Sequence, residues 1–496
     1  ERMVKILIFI LPIPITRALH GLTASNCNVP PTSGDNTRHS KKMKTVETTS
    51  SGLFSLPIDL VEEILMWLPS RSLARLRCTC RSWNELISSG GFVDRYLQNA
   101  AARHSAPAKL VLTPLSKRHA RSFHAPMCCR DCPRIIGARP CRGLVRCCRP
   151  CALTYSVCNP STGGVLHLPP CHSEWYMSSA GIGFDSATGK YKVVQLVDPS
   201  SPKVVGTQCR VLTVGDDPLG WREPLGEACT ILQEDHAKEG GCIADVDPVF
   251  ANGRLHWTLT PKFLVCDTPQ GILAFSIGDE SFVTVPLPPF ASADLDVCSS
   301  SVCVATNVYL EHVRPSKLLP KNKEIFAPAG TVLAELDGCL CMVRDLRHRR
   351  NMDLNEPTMF AIWKHGHYET GEWSLDYRID LPRGYRAAER LVTPWLVMPL
   401  AYVGGDPAST GGQRRKAVLL ATTAHEAHVY DPEAAVLHRV ASMSDDESRS
   451  CDAAFYLDNR LRLTLYQESP VQMDGMEHDG GDAKLIRYSI LNSEQN

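Results

Sequence analysis

The chain has 496 residues, 44% of them hydrophobic and 21% charged, and Lys+Arg and Asp+Glu balance at 53 each. This length admits two to four domains or one large repeat domain with attachments, and the composition is that of an ordinary globular protein. The balanced charge excludes an argument for a nucleic-acid or membrane partner from bulk electrostatics. There are 21 cysteines, and the Asn-x-Ser triplet at Asn159 is blocked by Pro160, so the cysteines read as mostly reduced and intracellular.

In chain order, "VKILIFILPIPITRALHG" places Lys5 before an apolar run from Ile6 to Ile15. It has the outline of a secretory signal. Pro12 and Pro14 interrupt it, however, and it is too short to span a bilayer. Residues 26–51 are rich in Ser, Thr, Pro and Lys, so 1–50 is expected to be a disordered leader.

The stretch "SLPIDLVEEILMWLPSRSLARLRCTCRSWNELI" (Ser55–Ile87) predicts three short helices. Pro57 suits a helix start and Asp59 the first turn. Leu60, Val61, Ile64, Leu65 and Leu68 recur at one-face spacing, with Glu62 and Glu63 pointing elsewhere, and Pro69 ends the run. Ser70 is expected to cap the second helix, with Leu73 and Leu76 on one face and Arg71, Arg75 and Arg77 away from it. Thr79 is expected to cap the third, lined by Cys80, Trp83 and Ile87. Met66 and Trp67 add apolar surface outside the main face.

At under ~50 residues the module lies below the size at which one core suffices. Either a partner covers the surplus surface or the helices cap the rest of this chain. The order Leu56-Pro57, Leu60/Ile64/Leu65, Leu68-Pro69, Ser72-Leu73 and Arg77-Cys78 to Trp83 closely resembles an F-box over residues 51–98. The resemblance implies docking on a Skp-type adaptor and, through it, a cullin. Adaptor contacts are then expected at Leu56, Pro57, Leu60, Ile64, Leu65, Leu68, Pro69, Leu73, Leu76 and Trp83. The alternative for some of these, Trp83 and Leu76 especially, is that they hold the three helices together.

Residues 99–140 read as a basic connector with a possible first strand. From Arg103 to Arg149 there are eleven Lys/Arg and one acid, Asp131. Aromatics are not interleaved, so a solvated connector is favoured over nucleic-acid binding. The pattern then becomes strand-like. "YSVCNPSTGGVLHLPP" reads as strand, turn at Asn159–Gly164, strand. "GIGFDSATGKYKVVQLV" is a hairpin around Asp185–Gly189, "VFANGRLHWTL" turns at Asn252-Gly253, and "VLAELDGCLCMVRD" turns at Asp337-Gly338. "GILAFSIGDESFVTVPLPP", "FAIWKHGHYETGEWSLDYRIDLP" and "AHVYDPEAAVLHRV" continue the theme.

Such hairpins at roughly 40–50-residue spacing predict a β-propeller, with a large β-sandwich as the alternative. The run Cys141–Leu196 is similar to the F-box-associated domain of plant F-box proteins, on its Asn-Pro-x-Thr-Gly turn and Gly-x-Gly-Phe-Asp hairpin. The resemblance implies a kelch-like propeller over 141–490 that receives a substrate. The expected architecture is α+β multidomain: a small all-α F-box, then a large all-β propeller-like domain.

Catalytic motifs fail on spacing. "GFDSATGKY" puts five residues between its glycines and Tyr191 where a phosphate loop needs Ser or Thr. "HEAH" at His425–His428 lacks zinc-protease spacing, and no Gly-x-Ser-x-Gly elbow is present. Cys129-x2-Cys132 and Cys148-x2-Cys151 match a four-thiolate zinc spacing, although the second pair overlaps the first expected blade, where a buried Cys acts as a small hydrophobe. No cofactor is expected.

Two functions remain. One is a non-catalytic substrate receptor of a Skp-cullin-F-box ubiquitin ligase, in cytoplasm or nucleus, with an unidentified protein target. The other is an intracellular β-propeller that binds zinc or RNA, with the helices as an internal cap. The loops "RHRRNMDLNEPT" and "GGDPASTGGQRRK" are polar and name no target.

Overall fold

The computed structural model describes residues 57–102, 109–112, 135–136, 139–149, 154–170, 175–199, 208–217, 220–226, 241–243, 248–261, 271–289, 331–346, 358–366, 368, 370–381, 397–403, 416–422, 426–442, 463–478 and 486–489. The expected leader, most of the basic connector and all but the last residue of each of the two polar loops lie outside them. The chain divides after Ala102 into two units.

The first unit is helical: α1 (Ile58–Met66), α2 (Ser70–Arg77), α3 (Arg81–Ser88) and α4 (Gly90–Ala102). The fourth helix was not expected. Phe92 and Tyr96 stand one turn apart on it and both are buried, which is the one-face spacing of a core helix. The expected caps shift by one residue. Pro57 and Pro69 occupy the N-cap positions of α1 and α2 with extended backbone, so Ser70 is already helical. Cys80, not Thr79, precedes α3. Thr79 instead donates its hydroxyl to Leu76 O (2.6 Å), closing α2.

Leu65, Met66, Leu68, Leu73, Leu76, Ile87, Phe92 and Tyr96 form the core of this unit. Met66, expected to add outside surface, is buried. Tyr96 Oη donates to Leu68 O (2.9 Å), which satisfies the carbonyl at the break before α2. Arg95 of α4 pairs with Glu62 (2.7 Å) and Glu63 of α1.

Among the described residues the second unit is six antiparallel sheets. The first joins Ile135–Ile136, Val145–Arg149, Thr154–Asn159, Gly164–His167 and, at its outer edge, Glu477–His478. The second is Trp175–Asp185, Lys190–Pro199 and Gln208–Thr213. The third is Val249–Ala251, Arg254–Pro261, Gly271–Ser276 and Phe282–Val285, with Gly241–Ile243 beside the long strand. The fourth is Thr331–Leu336, Cys339–Asp345, Thr358–His365 and Trp373–Asp380. The fifth is Val397–Val403, Ala417–Thr422, Glu426–Asp431 and Val436–Ser442. The sixth sets Lys109–Leu112 between Leu463–Tyr466 and Ile486–Ser489. A strand from the stretch read as connector is therefore the centre of the last sheet.

The sheets form a propeller rather than a sandwich, because each packs on its neighbours in chain order instead of facing one other sheet. One cluster joins the second and third sheets, another the third and fourth, and the largest the fourth and fifth with Leu463 of the sixth. Side-chain pins run between them: Trp257 Nε1 to Ser179 Oγ (3.1 Å), Trp373 Nε1 to Pro286 O (2.8 Å), and Tyr430 Oη to Asp380 O (3.0 Å). The Asn252-Gly253 and Asp337-Gly338 turns have positive φ at both positions (49° and 73°; 50° and 80°), the mirror-image turn that matches strand twist.

The Gly-x-Gly-Phe-Asp motif serves close packing. A Cβ at Gly183 would sit 2.6 Å from Ile277 of the third sheet, and one at Gly181 2.7 Å from Leu255. Only glycine lets the second sheet approach this closely.

Candidate functional site

The helix α1 carries two adjacent apolar rows. Val61, Leu65 and Leu68 are one, and Leu60, Ile64 and Trp67 the other; both have one-turn spacing. The helices α2, α3 and α4 cover the first row. Leu65 and Leu68 are 1% and 0% exposed. Leu60 and Trp67 are 50% and 59% exposed, Ile58 in the first turn is 61% exposed, and Ile64 is half-buried. Pro57 and Pro69, at the two ends of α1, are exposed too.

The expected contact set thus divides. Leu65, Leu68, Leu73 and Leu76 are closed into the unit's own core, and a side chain with no accessible area has nothing to offer a partner in this conformation. Pro57, Leu60, Ile64, Pro69 and the half-buried Trp83 keep surface to offer. Leu56 lies outside the described residues. Ile58 was missed by the spacing argument. Its signal is an aliphatic residue directly after the helix-starting proline, where the first turn has no preceding turn to cover it.

Each large apolar side chain left in water forgoes roughly 1.5–3 kcal/mol. Leu60 and Trp67 stand two turns apart on one face with the half-buried Ile64 between them, and so short a unit has no further element among the described residues to lay on that face.

Among its described residues the β unit holds no comparable exposed apolar row or metal cluster. Cys129, Cys132 and Cys151 lie outside the described residues. Cys148 stands in the strand Val145–Arg149, opposite Tyr155. Among the described residues no three metal-ligating side chains come together. Cys147 and Cys158 pack with Val165 in a small apolar cluster, and burial pushes the thiols of Cys141 and Cys341 up to about 12. These sulfurs act as small hydrophobes.

Of the "HEAH" residues, His428 is buried on a strand against Glu426 (3.1 Å), which also takes Arg439; His425 lies outside the described residues. In "GFDSATGKY" the carboxylate of Asp185 accepts from Ala187 N (3.0 Å) and Thr188 Oγ1 (2.8 Å), and Lys190 pairs with Asp216. That is a hairpin held by its own side chains.

A buried charge in the second and third sheets is equally self-contained. Glu280, 1% exposed, receives both prongs of the Arg222 guanidinium (2.6 and 2.7 Å), Lys192 Nζ (3.0 Å) and Leu225 N (2.9 Å). Burial alone would raise its carboxyl; these donors outweigh burial and hold it at about 2. His256 is also fully buried. Its Nδ1 meets Val249 O (3.1 Å) and its Nε2 meets the Tyr368 hydroxyl, pinning the third sheet to the fourth. Burial lowers it to about 4.

Against known proteins, the F-box domain family matches residues 53–94, and the F-box associated beta propeller domain family matches residues 98–301. A putative F-box protein of Arabidopsis thaliana is 27% identical over 263 residues, covering 49% of this chain and 67% of that one. A second is 30% identical over 183 residues and covers 34% and 46%. An Arabidopsis thaliana F-box/kelch-repeat protein is 23% identical over 302 residues and covers 52% and 75%. This chain thus spans between about half and three quarters of the length of these relatives. Among solved structures, an alpha-L-arabinofuranosidase of Fusarium graminearum aligns at a TM-score of 0.34 and 11% identity, covering 67% of this chain and 85% of that one; a likeness at that level carries no argument.

Proposed function

We propose, since this chain carries the F-box and F-box-associated β-propeller domains of the plant F-box proteins, that it is a substrate receptor of a Skp-cullin-F-box ubiquitin ligase. The observation that supports the reading most directly is the open apolar ridge Leu60–Ile64–Trp67, whose Leu60 and Trp67 are exposed. The helical unit docks this ridge on the Skp-type adaptor, and through the adaptor it reaches the cullin. The β unit receives a protein target. The chain breaks no bond itself: tethering raises the target's effective concentration at the charged ubiquitin carrier. On this reading it acts in the cytoplasm or nucleus.

The test uses the full-length chain and a purified plant Skp-type adaptor. Leu60→Asp and Trp67→Asp each weaken adaptor binding at least tenfold, since about 1.4 kcal/mol is a factor of ten and each side chain carries that much or more. Both variants keep the wild-type circular dichroism and melting curve, because neither residue is in the core. Full-strength binding by both variants would remove the basis of the assignment.

A further inference from the structure

The turn after the strand Thr154–Asn159 does two things, and only one is local. The Asn159 carboxamide oxygen accepts from Ser161 N (2.8 Å) and Thr162 N (3.4 Å), which shapes the turn into Gly164–His167. Its NH2 group points the other way. It donates to Ser469 O (3.1 Å) and Val471 O (2.7 Å), 310 and 312 residues further along the chain. Asn159 is 1% exposed.

The neighbouring contacts converge on the same segment. Ser469 N donates to Ser161 Oγ (3.1 Å), and Gly143 N donates to Gln467 Oε1 (3.0 Å). Gly143 has φ +82°, and a Cβ there would overlap that of Ser469. Past these contacts, Glu477–His478 pairs with Gly164–Val165 as the outer strand of the first sheet. Residues 467–478 therefore form a strap. It leaves the Leu463–Tyr466 strand of the sixth sheet, crosses the first sheet's turn and ends on that sheet's edge.

We propose that Asn159 is the latch that closes the propeller ring, holding the C-terminal strap to the first sheet through its amide nitrogen. The chemistry separates this role from the local turn. Asp forms the same Asx turn as Asn, because that turn needs only the side-chain oxygen. Asp cannot donate to two carbonyls, and its charge would face both of their oxygens in a buried site, where an unmet acceptor is costly. The strap is the backbone's own passage from the sixth sheet, at Leu463–Tyr466, to the first, at Glu477–His478, and Asn159 fixes its middle to the turn it passes over.

Hydrogen exchange of the full chain, read by mass spectrometry, tests this. In Asn159→Asp, exchange over residues 463–478 accelerates at least tenfold, while residues 331–345 of the fourth sheet exchange as in the wild type. Wild-type protection of 463–478 would reduce Asn159 to a turn residue and overturn the proposal. Uniform acceleration across the β unit would make it an ordinary core residue and overturn it equally. If Asn159→Asp does not fold, Ser161→Ala and Gln467→Ala each remove a flanking contact of the strap. Faster exchange confined to 463–478 in either supports the latch, and unchanged or uniform exchange in both overturns it. Adaptor binding is not the readout, so this result is independent of the ligase reading.

Discussion

Buried ionisable side chains in the β unit set how it responds to acid. His256 has a folded pKa of about 4 against an ordinary 6.5. Between those values an unfolded chain binds a proton that the folded chain refuses. Its contribution is complete above pH 6.5 and is lost as the pH falls toward 4, by about 3 kcal/mol in all. Tyr368, His365 and Arg254 surround it, and none supplies a counter-charge to a protonated imidazole. In His256→Gln, thermal melts recorded from pH 7 to 4 show a flatter decline than the wild type; an unchanged slope would show that His256 is not the group responsible. Glu280 acts lower. Its folded value of about 2 lies below the ordinary 4.5, so its contribution holds above pH 4.5 and is lost as the pH falls toward 2. Glu280→Gln leaves Arg222 and Lys192 without their shared anion and costs about 3–5 kcal/mol in denaturant unfolding at pH 7; a loss below ~1 kcal/mol would mean that water replaces the carboxylate. Little of this is legible in sequence. "GRLHWTL" shows a strand with a histidine in it, but the carbonyl and hydroxyl that bracket His256 come from Val249 and Tyr368.

Among the elements, α1 shows most clearly where periodicity stops informing. Residues 60, 61, 64, 65, 67 and 68 are all apolar, so two adjacent rows each satisfy the one-face rule. The helix was legible, with its start at Pro57 and its stop before Pro69. Which row faces inward was not, because that depends on where α3 and α4 lie. The consequence is measurable. Leu73→Ala, at a residue with no exposed area, removes about 2–5 kcal/mol, enough to unfold so small a unit; loss of the helical signal at low urea is the expected result. Leu60→Ala, on the open row of α1, leaves the urea midpoint unchanged while weakening capture of the proposed adaptor. Equal loss of stability in both variants would show that the open row is also core.

For the whole molecule, the ring's packing tolerances decide more than any single turn does. Gly183→Ala places a methyl within 2.6 Å of Ile277, forces the second and third sheets apart and costs about 1–3 kcal/mol as overpacking. A lower melting temperature for the β signal, with the helical signal unmoved, is expected from the division after Ala102. Helix spacing around Leu60–Leu68 and the Asn252-Gly253 and Asp337-Gly338 turns followed from the amino-acid order alone, because the contacts that make them lie within a few residues. The outward row on α1, the place of Lys109–Leu112 between two C-terminal strands, and the partners of Asn159 emerged only in three dimensions. Each depends on residues far apart in the chain, and a short-range pattern does not say which distant groups a buried amide, strand edge or apolar row will meet.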